Sequence, residues 1–205
     1  MPELSPLSEA GKRTFDLACA AAGLALLWPL LLAIAVLVVV DSPGPVFHRG
    51  MRSGRHGKPF RIYKFRTMAH GAESRGGLST AKDDPRITRA GRFLRRFKLD
   101  ELPQLLNVLT GEMSLVGPRP EMPEYTRLYA GEESLILTVR PGITDYSSLE
   151  FIHLGDLLGN DQPDRVYEEK VRPVKNALRV KYVRERSFLG DLWIILRTLG
   201  RLAGG

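Results

Sequence analysis

From Leu17 to Val40 the chain runs 24 residues without a carboxylate, lysine, arginine or histidine, bracketed by Asp16 and Asp41. As one helix at about 1.5 Å per residue, this run extends ~36 Å, enough to cross a hydrocarbon core of about 30 Å. Lys12 and Arg13 resemble the basic start of a signal peptide. The apolar run is however about twice a normal signal core and no small-x-small cleavage site follows Val40, so the segment is expected to be kept. Pro29, preceded by Trp28, falls mid-run, where it removes a backbone donor and crowds the preceding turn. Basic residues flank both ends: Lys12 and Arg13 before, then Arg49, Arg52, Arg55 and Lys58 after. The positive-inside rule therefore pulls both ends to one side. A helix broken at Trp28-Pro29, entering and leaving by one leaflet, satisfies both observations. A kinked spanning helix stays open, because proline is tolerated in such helices.

Charge is as unevenly spread as apolarity. The 205 residues carry a formal +7, yet residues 46–98 hold fifteen Lys or Arg against Glu73, Asp83 and Asp84. That block is +12, and the remainder sums to −5. Placed directly after a membrane segment, it points to anionic lipid and phosphate ligands. Nucleic acid is disfavoured, since no helix-turn-helix, zinc finger or aromatic RNA-binding signature accompanies it. A single Cys, Cys19, excludes an intramolecular disulfide, and the four His show no metal-ligand spacing.

Beyond the turn Ser42-Pro43-Gly44-Pro45, residues 46–49 and 60–65 read as short strands joined by a turn over 50–59. Residues 69–83 read as a Gly-, Ser- and Lys-rich loop. Phe93, Leu94 and Phe97 at helical spacing among Arg92, Arg95, Arg96 and Lys98 form an interfacial pattern. A helix continues over 102–109, and charged helical stretches follow at 121–135 and 163–186. Residues 187–202 form an apolar helix that either buries a face in the core or rests on a membrane. The expected class is an α-rich α+β (α/β) chain: a membrane segment over 1–41, then a compact catalytic domain over 42–205 with a small strand pair and interfacial amphipathic helices.

Asp100 and Glu101 stand where the basic block meets an apolar helix. Adjacent carboxylates at a helix start are favoured by the macrodipole alone. Their company suggests more. Arg95, Arg96 and Lys98 lie just upstream, and Pro118 and Pro120 fix the backbone on either side of Arg119, aiming a guanidinium suited to bidentate phosphate contact. One acid to attack phosphorus, a second to hold Mg²⁺ and several cations for phosphate oxygens make a coherent set for phosphoryl transfer. Lys64 and Arg66 fall on one face of a strand and Thr67 on the other, which by itself does not separate exposed cations from a site. No P-loop, G-x-G-x-x-G or G-x-S-x-G is present.

The motifs then come in a recognisable order: Tyr63-Lys64-Phe65-Arg66-Thr67-Met68, Asp84-Pro85-Arg86-Ile87-Thr88, Gly91-Arg92-Phe93-Leu94-Arg95, Leu99-Asp100-Glu101-Leu102-Pro103-Gln104-Leu105, Gly117-Pro118-Arg119-Pro120 and Arg140-Pro141-Gly142-Ile143-Thr144. The chain resembles the bacterial sugar transferases, the monotopic phosphoglycosyl transferases in their minimal form, over about residues 10–200. The resemblance implies transfer of a sugar 1-phosphate from a UDP-sugar to polyprenyl (undecaprenyl) phosphate, with release of UMP. It implies Asp100 as the nucleophile carrying a covalent phosphosugar, and Glu101 as the Mg²⁺ ligand. It further implies Arg95 and Arg119 as phosphate contacts, with Lys64, Arg66 and Thr67 beside them. Pro118, Pro120, Pro141 and Gly142 would form the active-site loop. It also implies a re-entrant membrane helix and a catalytic domain on the cytoplasmic face of the bacterial inner membrane; a homo-oligomer is left open. Two departures stand out. Trp28 occupies the place of a frequent Ser at the helix break, and residues 145–151 diverge from the family's run there, which bears on which sugar is used. The alternative expectation is a non-catalytic basic module that docks on membrane within a glycan-assembly complex.

Overall fold

The structure, a computed structural model, describes residues 6–72, 84–151, 154 and 163–203. The loop expected over 69–83 lies outside these from residue 73 onward, as does His153. The described elements are mostly helical, with three two-stranded pairings among them.

Helix α1 spans Pro6–Asp41 with Pro29 inside it. The expected division into two helices is not seen. The helical pattern carries through the proline, whose missing N–H costs one bond among many in a long apolar helix. Asp16, Ala20, Ile34 and Val38 are buried, at spacings that share one helix face, while the middle is exposed, with Leu26 at 79% and Trp28 at 62%. Ala20 packs with Phe60, Ile62, Val108 and Met113, and Ile34 and Val38 with Phe65 and Leu94. The helix is long and apolar enough to cross a membrane, and most of its apolar surface is left uncovered by the rest of the chain. That surface fits membrane association.

The expected strand pair is present but split. β1 (Phe47–His48) pairs antiparallel with β4 (Lys64–Phe65), and β2 (Met51–Ser53) with β3 (Pro59–Arg61). The turn between them tightens to a 3-10 turn at Arg55–Gly57 instead of occupying all of 50–59. α2 (Arg89–Arg96) starts where the Thr88 hydroxyl accepts from the Gly91 N–H at 3.0 Å. Its Ala90 and Leu94 are buried, whereas Phe93 and Phe97 are exposed with ring centroids 5.0 Å apart. Core on one side and exposed aromatics on the other is the division an interfacial helix needs.

Next come a 3-10 turn at Leu99–Glu101 and α3 (Gln104–Leu109). β5 (Ser114–Val116) then pairs in parallel with β6 (Gly142–Thr144). This pairing requires glycine where the chains cross: a Cβ on Gly142 would lie 2.0 Å from the Gly117 nitrogen, and one on Gly117 2.5 Å from the Arg140 carbonyl. α4 (Pro123–Thr126), a 3-10 stretch at Gly131–Thr138 and α5 (Tyr146–Glu150) fill the crossover and its exit. α6 (Pro163–Val166) runs through a π-turn at Tyr167–Val171 into α7 (Arg172–Glu185), and α8 (Phe188–Ala203) closes the fold. α8 meets the first of the two expectations, burying a face in the core. Ile194 joins Val116, Leu149 and Tyr182 in the core, while Leu189, Leu196 and Leu199 face outward.

Candidate active site

The dyad is set by a backbone reversal. Lys98 takes a left-handed conformation (φ 55°), rare for a side chain with a Cβ, and the 3-10 turn follows at once. This turn buries both acids: Asp100 is 1% exposed and Glu101 8%. Lys64, at the end of the hairpin, reaches across to them, with Nζ 2.8 Å from Asp100 Oδ2 and 3.3 Å from Glu101 Oε1. Arg119 clamps Glu101 bidentately, Nη2 on Oε1 and Nη1 on Oε2, the latter at 2.9 Å. Between Pro118 and Pro120, the Arg119 backbone N–H donates to Asp145 Oδ2 at 3.2 Å.

These pairings determine what each acid can do. Burial alone would raise the Glu101 carboxyl, but the Arg119 and Lys64 charges outweigh it and hold it well below the usual carboxylate range. The Glu101 charge in turn raises Arg119 above its ordinary value. Glu101 is thus an ionised anchor, with Oε1 taken by two cations and Oε2 by one. Asp100 differs. Its Oδ1 is buried and has no hydrogen-bond partner among the described residues. Asp100 is thus an ion-paired carboxylate with one oxygen left unbonded among the described residues.

The remaining expected residues divide. Arg95 Nε donates to the Thr67 hydroxyl at 2.8 Å, the one hydrogen bond its guanidinium makes among the described residues, so its terminal nitrogens stay available. Burial pushes Arg95 down from its ordinary value, partly offset by the Asp100, Asp84 and Glu101 charges. A Cβ on Gly91 would meet the Thr67 carbonyl at 2.0 Å, so the close approach of α2 to residue 67 also depends on glycine. Arg66 is not brought to the dyad. Its guanidinium donates to the carbonyls of Pro45 (2.7 Å), Pro43 (3.2 Å) and Ser42 and to the Ser42 hydroxyl (2.9 Å), closing the C-terminal end of α1. Pro141 and Gly142 lie on the β6 side of the parallel pair, where the Gly142 N–H donates to the Pro118 carbonyl at 3.0 Å. They hold the Arg119 loop. Trp28 and Pro29 sit on exposed α1, far in sequence from every pairing above.

Two further basic residues lie near the dyad: Lys98, which the sequence already sets just upstream of it, and Arg52. Lys98 lies close enough for its charge and those of Glu101, Arg119, Asp100 and Lys64 to act on one another, and burial pushes its amine down. Arg52 is likewise lowered by burial and feels the Glu121, Arg119 and Glu101 charges. Behind the Arg119 loop, Glu121 accepts from Arg179 (2.7 Å) and from the Tyr167 hydroxyl (2.5 Å), a pairing across more than forty residues that no local pattern announces.

A buried acid pair gripped by Lys64 and Arg119 forms the centre of the candidate site. The profile of the bacterial sugar transferases matches residues 7–205. Curated relatives agree. The "Uncharacterized sugar transferase EpsL" of Bacillus subtilis (strain 168) is 38% identical over 191 residues, covering 93% of this chain and 86% of its own. The "UDP-glucose:undecaprenyl-phosphate glucose-1-phosphate transferase" of Caulobacter vibrioides is 37% identical, with 93% and 69% covered. The "UDP-N-acetylgalactosamine-undecaprenyl-phosphate N-acetylgalactosaminephosphotransferase" of Aeromonas hydrophila is 40% identical over 204 residues, 98% of this chain but 45% of the longer relative. The chain belongs to the bacterial sugar transferase family and is an enzyme, a phosphoglycosyl transferase. The alternative of a non-catalytic docking module is set aside.

Proposed function

We infer that this enzyme moves a sugar 1-phosphate from a UDP-sugar to a polyprenyl phosphate, undecaprenyl phosphate in bacteria, in two displacements. The observation that carries the reading is the free, buried Oδ1 of Asp100 among Lys64, Arg95 and Arg119. In the first displacement Oδ1 attacks the phosphorus that bears the sugar. The O–P bond to the uridine side breaks, and UMP leaves with the bonding electrons as a phosphate anion. The product is an acyl phosphate that links Asp100 to the sugar. In the second, an oxygen of the polyprenyl phosphate attacks the same phosphorus and the Asp100 carboxylate leaves. The lipid then carries a diphosphate sugar and the enzyme is restored. Lys64 and Arg95 offset charge on the transferring phosphoryl group, while Arg119 fixes Glu101 and shows its outer edge to substrate. Relatives whose names specify UDP-glucose or UDP-N-acetylgalactosamine with undecaprenyl phosphate support this substrate class.

Mg²⁺ belongs to the reading as counter-ion to the substrate diphosphate. It takes oxygen ligands and binds through one or two carboxylates beside phosphates. Apart from the attacking oxygen, the dyad offers one fitting donor, the remaining lone pair of Glu101 Oε2. When bound there, the ion would neutralise phosphate oxygens. A panel of UDP-sugars with polyprenyl phosphate, with Mg²⁺ or with chelator, is expected to give UMP release for a subset of sugars only when the cation is present. Absence of UMP with every sugar would overturn the reaction; equal rates under chelation would remove the metal.

The membrane arrangement follows from how α1 is tied down. At its start Lys12 pairs with Asp191 at 2.5 Å, and Asp16 accepts from the Ser114 hydroxyl at 2.8 Å. At its end Asp41 accepts from the Ala90 N–H at 3.0 Å, and Arg66 holds the carbonyls beyond. Both ends are therefore bonded to one polar body, which a hydrocarbon core of about 30 Å between them cannot contain. This supports re-entry from a single leaflet, with the Trp28-Pro29 region deepest and the catalytic body on the cytoplasmic side, where the nearby Lys and Arg belong. Tags placed at the two termini are expected to be accessible from the same side of sealed inverted vesicles. Accessibility from opposite sides would refute the arrangement.

A further inference from the structure

One buried group near the dyad has no structural duty. Asp100, Gln104 and Asn107 follow at i, i+4 and i+7 through the 3-10 turn and α3, and backbone angles at Leu102 and Pro103 remain in the right-handed helical region between them. This spacing stacks the three side chains on one face. The face is turned toward the chain leaving the hairpin. Asp100 bonds Lys64, and Asn107 accepts from the Tyr63 N–H at 2.8 Å and donates to the Arg61 carbonyl at 3.0 Å. Asn107 also donates to Glu112 at 2.7 Å, so it is fully engaged. Gln104, lying between two residues that hold this segment, is 1% exposed and bonds nothing: neither Nε2 nor Oε1 has a partner among the described residues. Four residues before it on the same face, Asp100 Oδ1 is likewise buried and unbonded among the described residues.

A buried carboxamide with both ends unpaired is destabilising and is rarely retained without a use. The ligand that would relieve it must offer an acceptor for Nε2 and a donor for Oε1 within reach of Asp100. A phosphosugar offers both, a non-bridging phosphoryl oxygen and a sugar hydroxyl. We propose that Gln104 is a substrate-contacting catalytic residue, donating from Nε2 to a non-bridging oxygen of the phosphosugar attached at Asp100 and accepting a sugar hydroxyl at Oε1. The assignment rests on the two-displacement reading above. It adds a neutral donor to a ring otherwise made of cations, aimed at the phosphoryl group as it transfers.

The test sets activity against stability. Gln104→Leu removes both polar atoms at similar volume, so relief of the unpaired carboxamide leaves thermal stability equal or raised. kcat/KM for UMP release with polyprenyl phosphate is expected to fall about 100-fold, in the range for loss of one transition-state donor. Gln104→Met serves as the second variant should the branched side chain hinder folding. Full activity in either folded variant would overturn the assignment. So would a loss of activity that merely tracks a drop in melting temperature, since that is the mark of a packing role. Both outcomes presuppose a wild-type enzyme that releases UMP; a wild type that releases none overturns the underlying reaction instead.

Discussion

Replacing Asp100 by Asn is expected to reduce UMP release by at least about a thousandfold, because the carboxylate oxygen that attacks phosphorus becomes a neutral amide with no usable electron pair. The fold should tolerate the change. Asn matches Asp in shape, Oδ1 has no partner to lose, and the Lys64 ammonium keeps Glu101 at 3.3 Å. The measurement is a single turnover with a UDP-sugar labelled in the sugar. Wild-type enzyme acquires protein-bound label that polyprenyl phosphate then discharges, and the Asn variant acquires none. Turnover by the variant within tenfold of wild type would sink the two-displacement mechanism. A dead variant alongside a wild type that never becomes labelled would point instead to direct transfer with Asp100 in another role.

Gly142→Ala is expected to cost about 3 kcal/mol or more in stability and most of the activity. The added Cβ would lie 2.0 Å from the Gly117 nitrogen and 2.5 Å from its oxygen, and backbone atoms cannot rotate away as a side chain can. Two hydrogen bonds fix the crossing, from the Gly117 N–H to the Thr144 carbonyl and from the Gly142 N–H to the Pro118 carbonyl, each at 3.0 Å. Separating them displaces Pro118 and, with it, the guanidinium that grips Glu101. Chemical denaturation and UMP release measured together check this. Wild-type stability in the variant would mean that the crossing yields more easily than its geometry allows.

The sequence made some features legible for local reasons. The apolar run, the Asp100-Glu101 pair and the proline-bracketed Arg119 are contiguous, and each carries its physics within a few residues. The resemblance sets Arg66 beside Lys64, where spacing alone decides nothing, and the structure ties its guanidinium to the end of α1 instead. β4 in fact ends at Phe65, so the alternation has stopped one residue before it matters. β5 and β6 are three residues each and pair across a crossover, too short to produce a periodic signal. The Glu121–Arg179 pair joins distant segments and is invisible to any window. Gln104 was hidden differently: a lone amide in an apolar helix looks ordinary until its neighbours are seen to be satisfied and it is not. Pro29 is a strong local signal of another kind, and it lies inside a helical assignment that continues on both sides of it.

The four residues Lys64 to Thr67 bind three separate parts of the molecule. Lys64 holds Asp100, Arg66 the end of the apolar helix, and Thr67 the Arg95 guanidinium. They act as a short rigid bracket between anchor and chemistry. On the proposed function, the height at which a bilayer carries α1 would thereby be registered to the position of Asp100. A lipid-borne acceptor, whose phosphate is confined to the headgroup plane, then arrives at a level the protein has already measured.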